Sequence, residues 1–189
     1  MARNYTKTRR ADNQAETRQR IVEAAMGLHG EIGPTATTIS MIADRAGVQR
    51  HTVYAHFADE LSLLMACSGL HGEQNPLPTP DAWAHLATPG AQLTAALTAV
   101  YAWFAANEAM TANVLRDVET NATLREVTHM RFGVPLAAIY ESLSGGLSAA
   151  LPLALTLALS FHTWRTLVRD AKMKPKDAVA LMVASVFAA

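Results

Sequence analysis

The run Gln49-Arg50-His51-Thr52-Val53-Tyr54-Ala55-His56-Phe57 follows a glycine and mixes hydrogen-bonding side chains with aromatic ones at helical spacing. Arg grips guanine bidentately and Gln grips adenine, while Thr, Tyr and His bond base edges or phosphates. As a helix, the run turns Val53 and Phe57 inward. Gln49, Arg50, Thr52 and His56 then face out, with Tyr54 and His51 at the flank. That chemistry is recognition of a nucleic acid rather than the making of bonds. Seven histidines are scattered, with no His-x-x-x-His or Glu-His pairing for a metal. No glycine-rich phosphate loop or nucleophile elbow is present, so no catalytic residue, metal or cofactor is expected and the chain does not read as an enzyme. Cys67 is the single cysteine and lies in an apolar stretch, which makes it a small core residue.

The elements that hold this run in place are short helices. Thr37-Thr38 offers an N-cap for a helix from Ile39 to Ala46, with Ile42 and Ala43 facing inward. Gly47 can adopt the left-handed conformation of a tight turn. Two short helices joined through Ala46-Gly47-Val48 form a helix-turn-helix pattern. Before it, Ile21, Ala24, Ala25, Leu28 and Ile32 make one apolar stripe on a helix ending before Gly33-Pro34. After it, Asp59 can cap a fourth helix carrying Leu61, Leu64, Met65 and Cys67.

Sustained period-2 alternation is absent along the whole chain, which predicts an all-α protein. Three prolines in residues 72–80 mark a connection. Apolar helices are expected near 81–87, 91–106, 108–120, 124–144, 148–171 and 176–188. The organisation so read is a basic flexible arm at 1–14 and a DNA-binding helix-turn-helix domain at 15–71. A Pro-rich connection at 72–80 then leads to a ligand-binding and dimerisation helical bundle at 81–189. Half of the 189 residues are apolar and 17% are charged, enough for a sizeable core. Net charge is zero but unevenly placed: residues 1–20 hold six basic and two acidic side chains, whereas residues 52–130 hold two and eight. A polyanion partner is therefore expected at one end, with the basic segment lying along a backbone or entering a minor groove.

The stretch TTISMIADRAGVQRHTVYAHFADELSLLMA resembles the DNA-binding region of the tetracycline-repressor (TetR) family of bacterial regulators. The features that carry the resemblance are Thr38, Ile42-Ala43, Ala46-Gly47-Val48, Thr52, Tyr54 and His56-Phe57 followed by a new helix, within roughly residues 15–66. The resemblance implies a homodimer placing two recognition helices in successive major grooves of a palindromic double-stranded operator. By position it assigns Thr38 and Ser40 to the start of the supporting helix, near phosphate and base. It assigns Gln49, Arg50, His51 and Thr52 to base reading, and Tyr54 and His56 to phosphates. Three positions depart from the family's pattern. Gln49 replaces a usual Ser and is a poor N-cap, His51 replaces a small residue, and Glu60 replaces a phosphate-binding Lys. A carboxylate at position 60 faces repulsion from DNA unless it turns away or pairs with a nearby Arg.

In the second half, apolar helices carrying Trp83, Tyr101, Trp103, Phe104 and Phe132 can enclose a pocket, with Arg116, Asp117, Glu119, His129 and His162 as polar anchors. The effector is expected to be apolar or aromatic and to release a repressor from its operator, as the resemblance implies. Helices Leu151–Asp170 and Lys176–Ala188 are the expected dimer surface, through Leu153, Leu157, Ser160, Trp164, Leu167, Val179, Met182 and Val183. Two other readings are open: a soluble helical ligand-binding protein with a degenerate DNA-reading head, and a membrane-associated protein using the uncharged stretch 142–164. Gly145-Gly146 and Pro152 interrupt that stretch and favour a buried helix, so no membrane is expected. With no apolar h-region at the N-terminus, a cytoplasmic location is expected.

Overall fold

The computed structural model describes residues 2–145 and 152–188, with the side chains of 2–10 and Pro152 outside the description. Among the described residues there is no strand. The elements are α1 (Ala2–Ile32), α2 (Ile39–Ala46), α3 (Arg50–His56), α4 (Glu60–Gln74), α5 (Asp81–Ala84), α6 (Pro89–Ala106), α7 (Glu108–Asp117), α8 (Ala122–Thr128), α9 (Val134–Ser144), α10 (Pro152–Ala158), α11 (Phe161–Trp164) and α12 (Pro175–Ala188). Two π-helical segments, His129–Gly133 and Arg165–Asp170, follow α8 and α11.

The chain divides into two compact units, one of residues 1–74 with 109–128 and one of residues 75–108 with 129–189. The boundary expected at 72–80 is therefore only part of the division. Residues 109–128, read from sequence as part of the second half, pack into the first unit.

In the first unit, Ile21, Val22, Ala25 and Leu28 of α1 meet Ile42 and Ala43 of α2, Val53 of α3, Phe57, and Leu63, Leu64 and Cys67 of α4. Leu124 and Val127 of α8 complete this core. The buried face of α4 runs through Leu63 rather than the expected Leu61, which is 38% exposed. Both are leucines, two positions apart, and only the neighbours choose between them. Residues 2–14, expected as a flexible arm, form instead the first turns of α1. No Gly or Pro precedes Gly27, so nothing in the sequence stops the helix from running back to Ala2.

The second unit centres on Phe104 of α6, fully buried and ringed by Tyr101, Trp103, Phe132, Phe161 and Trp164 at centroid distances of 5.5–6.4 Å. The long helix expected over 148–171 is broken. Leu159-Ser160 leaves the helical path, and Ser160 is extended and caps α11 by accepting from His162 N at 3.2 Å. Ser is at home in a cap because its hydroxyl replaces a missing backbone acceptor. The start of the helix expected before Pro152 lies outside the described residues. Among the described residues, no helix is long and apolar enough to cross a membrane.

Candidate nucleic-acid interface

The helix-turn-helix forms where local chemistry demands it. Thr38 is extended and its hydroxyl accepts from Met41 N at 3.3 Å, which starts α2. Gly47 ends α2 in the left-handed region at φ 65°, and Val48 N donates back to Ala43 O at 3.0 Å. Gln49 occupies the N-cap of α3 and makes no side-chain cap, as its length predicts. Helix α3 is anchored by Val53, which is fully buried, and by Phe57 just beyond its end.

That anchoring leaves Gln49, Arg50, His51 and Tyr54 exposed and Thr52 and His56 half-buried. Tyr54 is 58% exposed, an unusual place for an aromatic ring with no covering partner among the described residues of its own unit. Thr38 is exposed and Ser40 half-buried on α2. The expected DNA-reading residues thus belong to one helix-turn-helix with a solvent-facing side. Arg45, beside the turn, is committed to a two-pronged ion pair with Glu31 of α1, both arms 2.7 Å.

Two basic residues counted toward a polyanion partner serve the fold as well. Arg20 donates to Ala46 O at 3.1 Å, and Arg18 lies over the Phe57 ring at 4.8 Å. Sequence reading missed both roles, because each reaches an element far along the chain.

Glu60 neither pairs with an arginine nor stands alone. Its Oε1 accepts from Asn121 Nδ2 at 2.8 Å, while Asn121 Oδ1 accepts from Leu124 N at 2.9 Å and so caps α8. Asp59 caps α4 as expected, accepting from Ser62 N at 2.7 Å. That bond, with the Ser62 side chain, holds the Asp59 carboxyl below its usual range.

Residues 21–67 match the family model described as "Bacterial regulatory proteins, tetR family". The chain carries the N-terminal domain of the TetR family. Over 69 residues, 35% of this chain, it is 44% identical to the HTH-type transcriptional regulator SrpR of Pseudomonas putida, covering 32% of that protein. Over the same length it is 44% identical to the HTH-type transcriptional regulator TtgW, from a strain of the same species, covering 50%. The matches span half or less of these curated relatives. The TetR-family fold extends over nearly the whole chain. The regulator PfmR from Thermus thermophilus superimposes with a TM-score of 0.63 at 20% identity, covering 88% of this chain and 94% of its own. A TetR-family regulator from Marinobacter aquaeolei superimposes with a TM-score of 0.62 at 16% identity, covering 94% and 97%.

The polar candidates of the second half separate. Arg116, Asp117 and Glu119 belong to the TetR-type first unit, not to the aromatic cluster. Arg116 donates to Asp117 Oδ1 at 2.7 Å, to Asn113 Oδ1 at 3.1 Å and to Ile32 O at 3.0 Å. Asp117 Oδ2 accepts from Thr35 N at 2.9 Å, and Asn113 donates to the carbonyls of His29 and Gly30. Together they satisfy the carbonyls left open where α1 ends. Burial pushes the Asp117 carboxyl up, but the bonds from Arg116 and Thr35 outweigh it and hold it below its ordinary value. Glu119 is exposed on the surface of that unit.

Within the second unit, Tyr101, Trp103, Phe104 and Phe132 do come together. Trp83 is buried nearer α9, donating to Ser142 Oγ at 3.3 Å. Neither His129 nor His162 is enclosed by that cluster: both are exposed, and His162 only stands edge-on to Phe161 from outside, at 5.7 Å between ring centroids. Tyr101 donates to Ala158 O and Trp103 to Asn75 O. Trp164 Nε1 is buried with no partner among the described residues. Of the expected dimer residues, Trp164 and Val179 are buried within their own unit and unavailable, while Leu167, Met182 and Val183 are half-buried and Ser160 serves its cap. Leu153 and Leu157 are 78% and 61% exposed, and Leu181 and Phe187, not foreseen, join them as exposed apolar side chains on α12.

Among the described residues, no group of three His, Cys, Asp or Glu is placed to hold a metal. The buried His29 and Cys67 meet at 3.5 Å. Burial drives the thiol up to about 12 and the imidazole down to about 4, so the pair is neutral rather than a reactive thiolate–imidazolium.

Proposed function

We propose that the chain is a sequence-specific transcriptional regulator that binds double-stranded operator DNA as a homodimer and is released by a small effector. The observation that carries the reading is the exposed row Gln49, Arg50, His51 and Tyr54 on a helix locked from behind by the fully buried Val53. A rigid helix with bidentate donors on its free side fits a major groove. The repeated match to TetR-type regulators over this unit supports it.

Homodimerisation is supported by α10 and α12, which pack together and expose Leu153, Leu157, Leu181 and Phe187. Exposed apolar side chains in such number on adjacent helices call for a covering surface. The effector reading rests on the second unit's aromatic cluster around Phe104 and the unpaired Trp164 N–H within it, which together favour a neutral, aromatic molecule bearing an acceptor.

The test is selection of binding sites from random duplex DNA by purified full-length protein. Recovery of a palindrome with half-sites one helical turn or a multiple apart supports the dimeric reader. A soluble, folded chain that enriches no sequence sinks the reading.

A further inference from the structure

The first unit contains a cleft of about 280 Å³ that shares only Tyr54 and Glu60, at its mouth, with the positions discussed for DNA. Its buried end is formed by Ile42, Phe57, Leu63, Leu64 and His29, and its open end by Tyr54, Asp59 and Glu60. The size lies near the lower end of small-molecule pockets, which begin at about 300 Å³.

His29 makes this more than a packing gap. The residue is 6% exposed, and one ring nitrogen, Nδ1, lies against Cys67 Sγ. The other, Nε2, has no hydrogen-bond partner among the described residues, although the ring lines the cleft. Among the described residues the only fully buried unpartnered side-chain N or O is Trp164 Nε1, so Nε2 is reached from the cleft, and a ligand that displaces water there must replace its hydrogen bond. The neutral ring presents Nε2 as donor or acceptor according to its tautomer, and a hydroxyl answers either.

The mouth has the opposite character. Glu60 engages Asn121 through one oxygen and keeps the other for a further donor, while Asp59, held by Ser62 through both its backbone and its side chain, adds negative charge beside it. Tyr54 adds an exposed ring face beside them, a surface on which a cation is held. No basic side chain lines the cleft apart from the neutral His29, so an anion is excluded by charge.

We propose that this cleft binds a small aryl-alkyl amine with a hydroxyl at the far end of its ring. The hydroxyl meets His29 Nε2, the ring packs between Ile42, Leu63 and Leu64, and the ammonium lies between Glu60, Asp59 and the Tyr54 ring. The site is a property of the first unit and stands whether or not α3 reads DNA.

Tyramine is the probe, with 4-ethylphenol lacking the ammonium and phenethylamine lacking the hydroxyl. Each is titrated into the full chain with labelled histidine nitrogens and leucine methyls, followed by NMR. Tyramine should shift His29 and the Leu63 and Leu64 methyls saturably, and bind several-fold more tightly than either analogue. Glu60→Gln keeps the acceptor for Asn121 but removes the charge. It should weaken tyramine several-fold, the scale of an exposed ion pair, and leave 4-ethylphenol unchanged. Failure of tyramine to move these signals at millimolar concentration overturns the site. Equal binding of tyramine and 4-ethylphenol, in wild type and Glu60→Gln alike, overturns the amine.

Discussion

Asn121 holds Glu60 at 2.8 Å with its amide while its carbonyl oxygen caps α8. One side chain thus ties the first residue of α4 to a helix 61 positions later in the chain. The carboxylate at the start of α4 is also favoured by the helix dipole. Glu60 is therefore settled in the fold although it is ill-placed for a polyanion.

Replacing it follows directly. Glu60→Lys should tighten DNA binding on all sequences alike and steepen the dependence of log K on log salt by about 0.9, one phosphate contact. Binding isotherms at several salt concentrations measure it. An unchanged slope would mean position 60 faces away from the duplex.

Arg50 is exposed at the first turn of α3. Arg50→Ala should cost about 1–3 kcal/mol on the selected operator and relax preference at one base position. Comparing affinities for the operator and its single-base variants reads both effects. A uniform loss on every sequence would reassign Arg50 to phosphate.

Gly33 ends α1 at φ 96°, where side-chain-bearing residues are strained. A Cβ there would also collide with Arg116 Nη2 and stand 2.6 Å from Asp117 Oδ2. Gly33→Ala should lower the unfolding free energy by about 1–3 kcal/mol, read from urea denaturation. A neutral result would show that the Arg116–Asp117 contact with this turn is loose.

The His29 ring is kept neutral by burial, against the opposing pull of Asp117, with its pKa lowered to about 4. As pH falls below the usual histidine value, the unfolded chain takes up a proton that the folded chain refuses. Stability present above pH ~6.5 should then be lost toward pH ~4, by about 3 kcal/mol in all. Urea denaturation at pH ~7 and pH ~4.5 should show the drop, and His29→Gln should remove this share of it. Asp117 adds its own loss only at lower pH, through the carboxylate range.

Leu153 and Leu157 are the most exposed large apolar residues described in the second unit. The double variant Leu153→Glu, Leu157→Glu should raise the dimer dissociation constant at least about tenfold and leave helical content unchanged. Sedimentation equilibrium checks it. A variant as dimeric as wild type would move the interface elsewhere.

The recognition head was legible in the sequence because its determinants are local. The Thr38 cap, the left-handed Gly47, and the inward spacing of Ile42, Val53 and Phe57 act within a few residues, and each stands where its type requires. The long-range partners were not legible. Arg116 and Asp117 interrupt an apolar helix and read as ligand anchors, yet they close the end of α1 across 84 and 82 positions. Trp164 read as an interface residue and is buried, while Leu181 and Phe187 lie open. Periodicity says that a helix has an apolar face. Which neighbour covers that face, and which charge meets which carbonyl, follows only when distant segments compete for the same core.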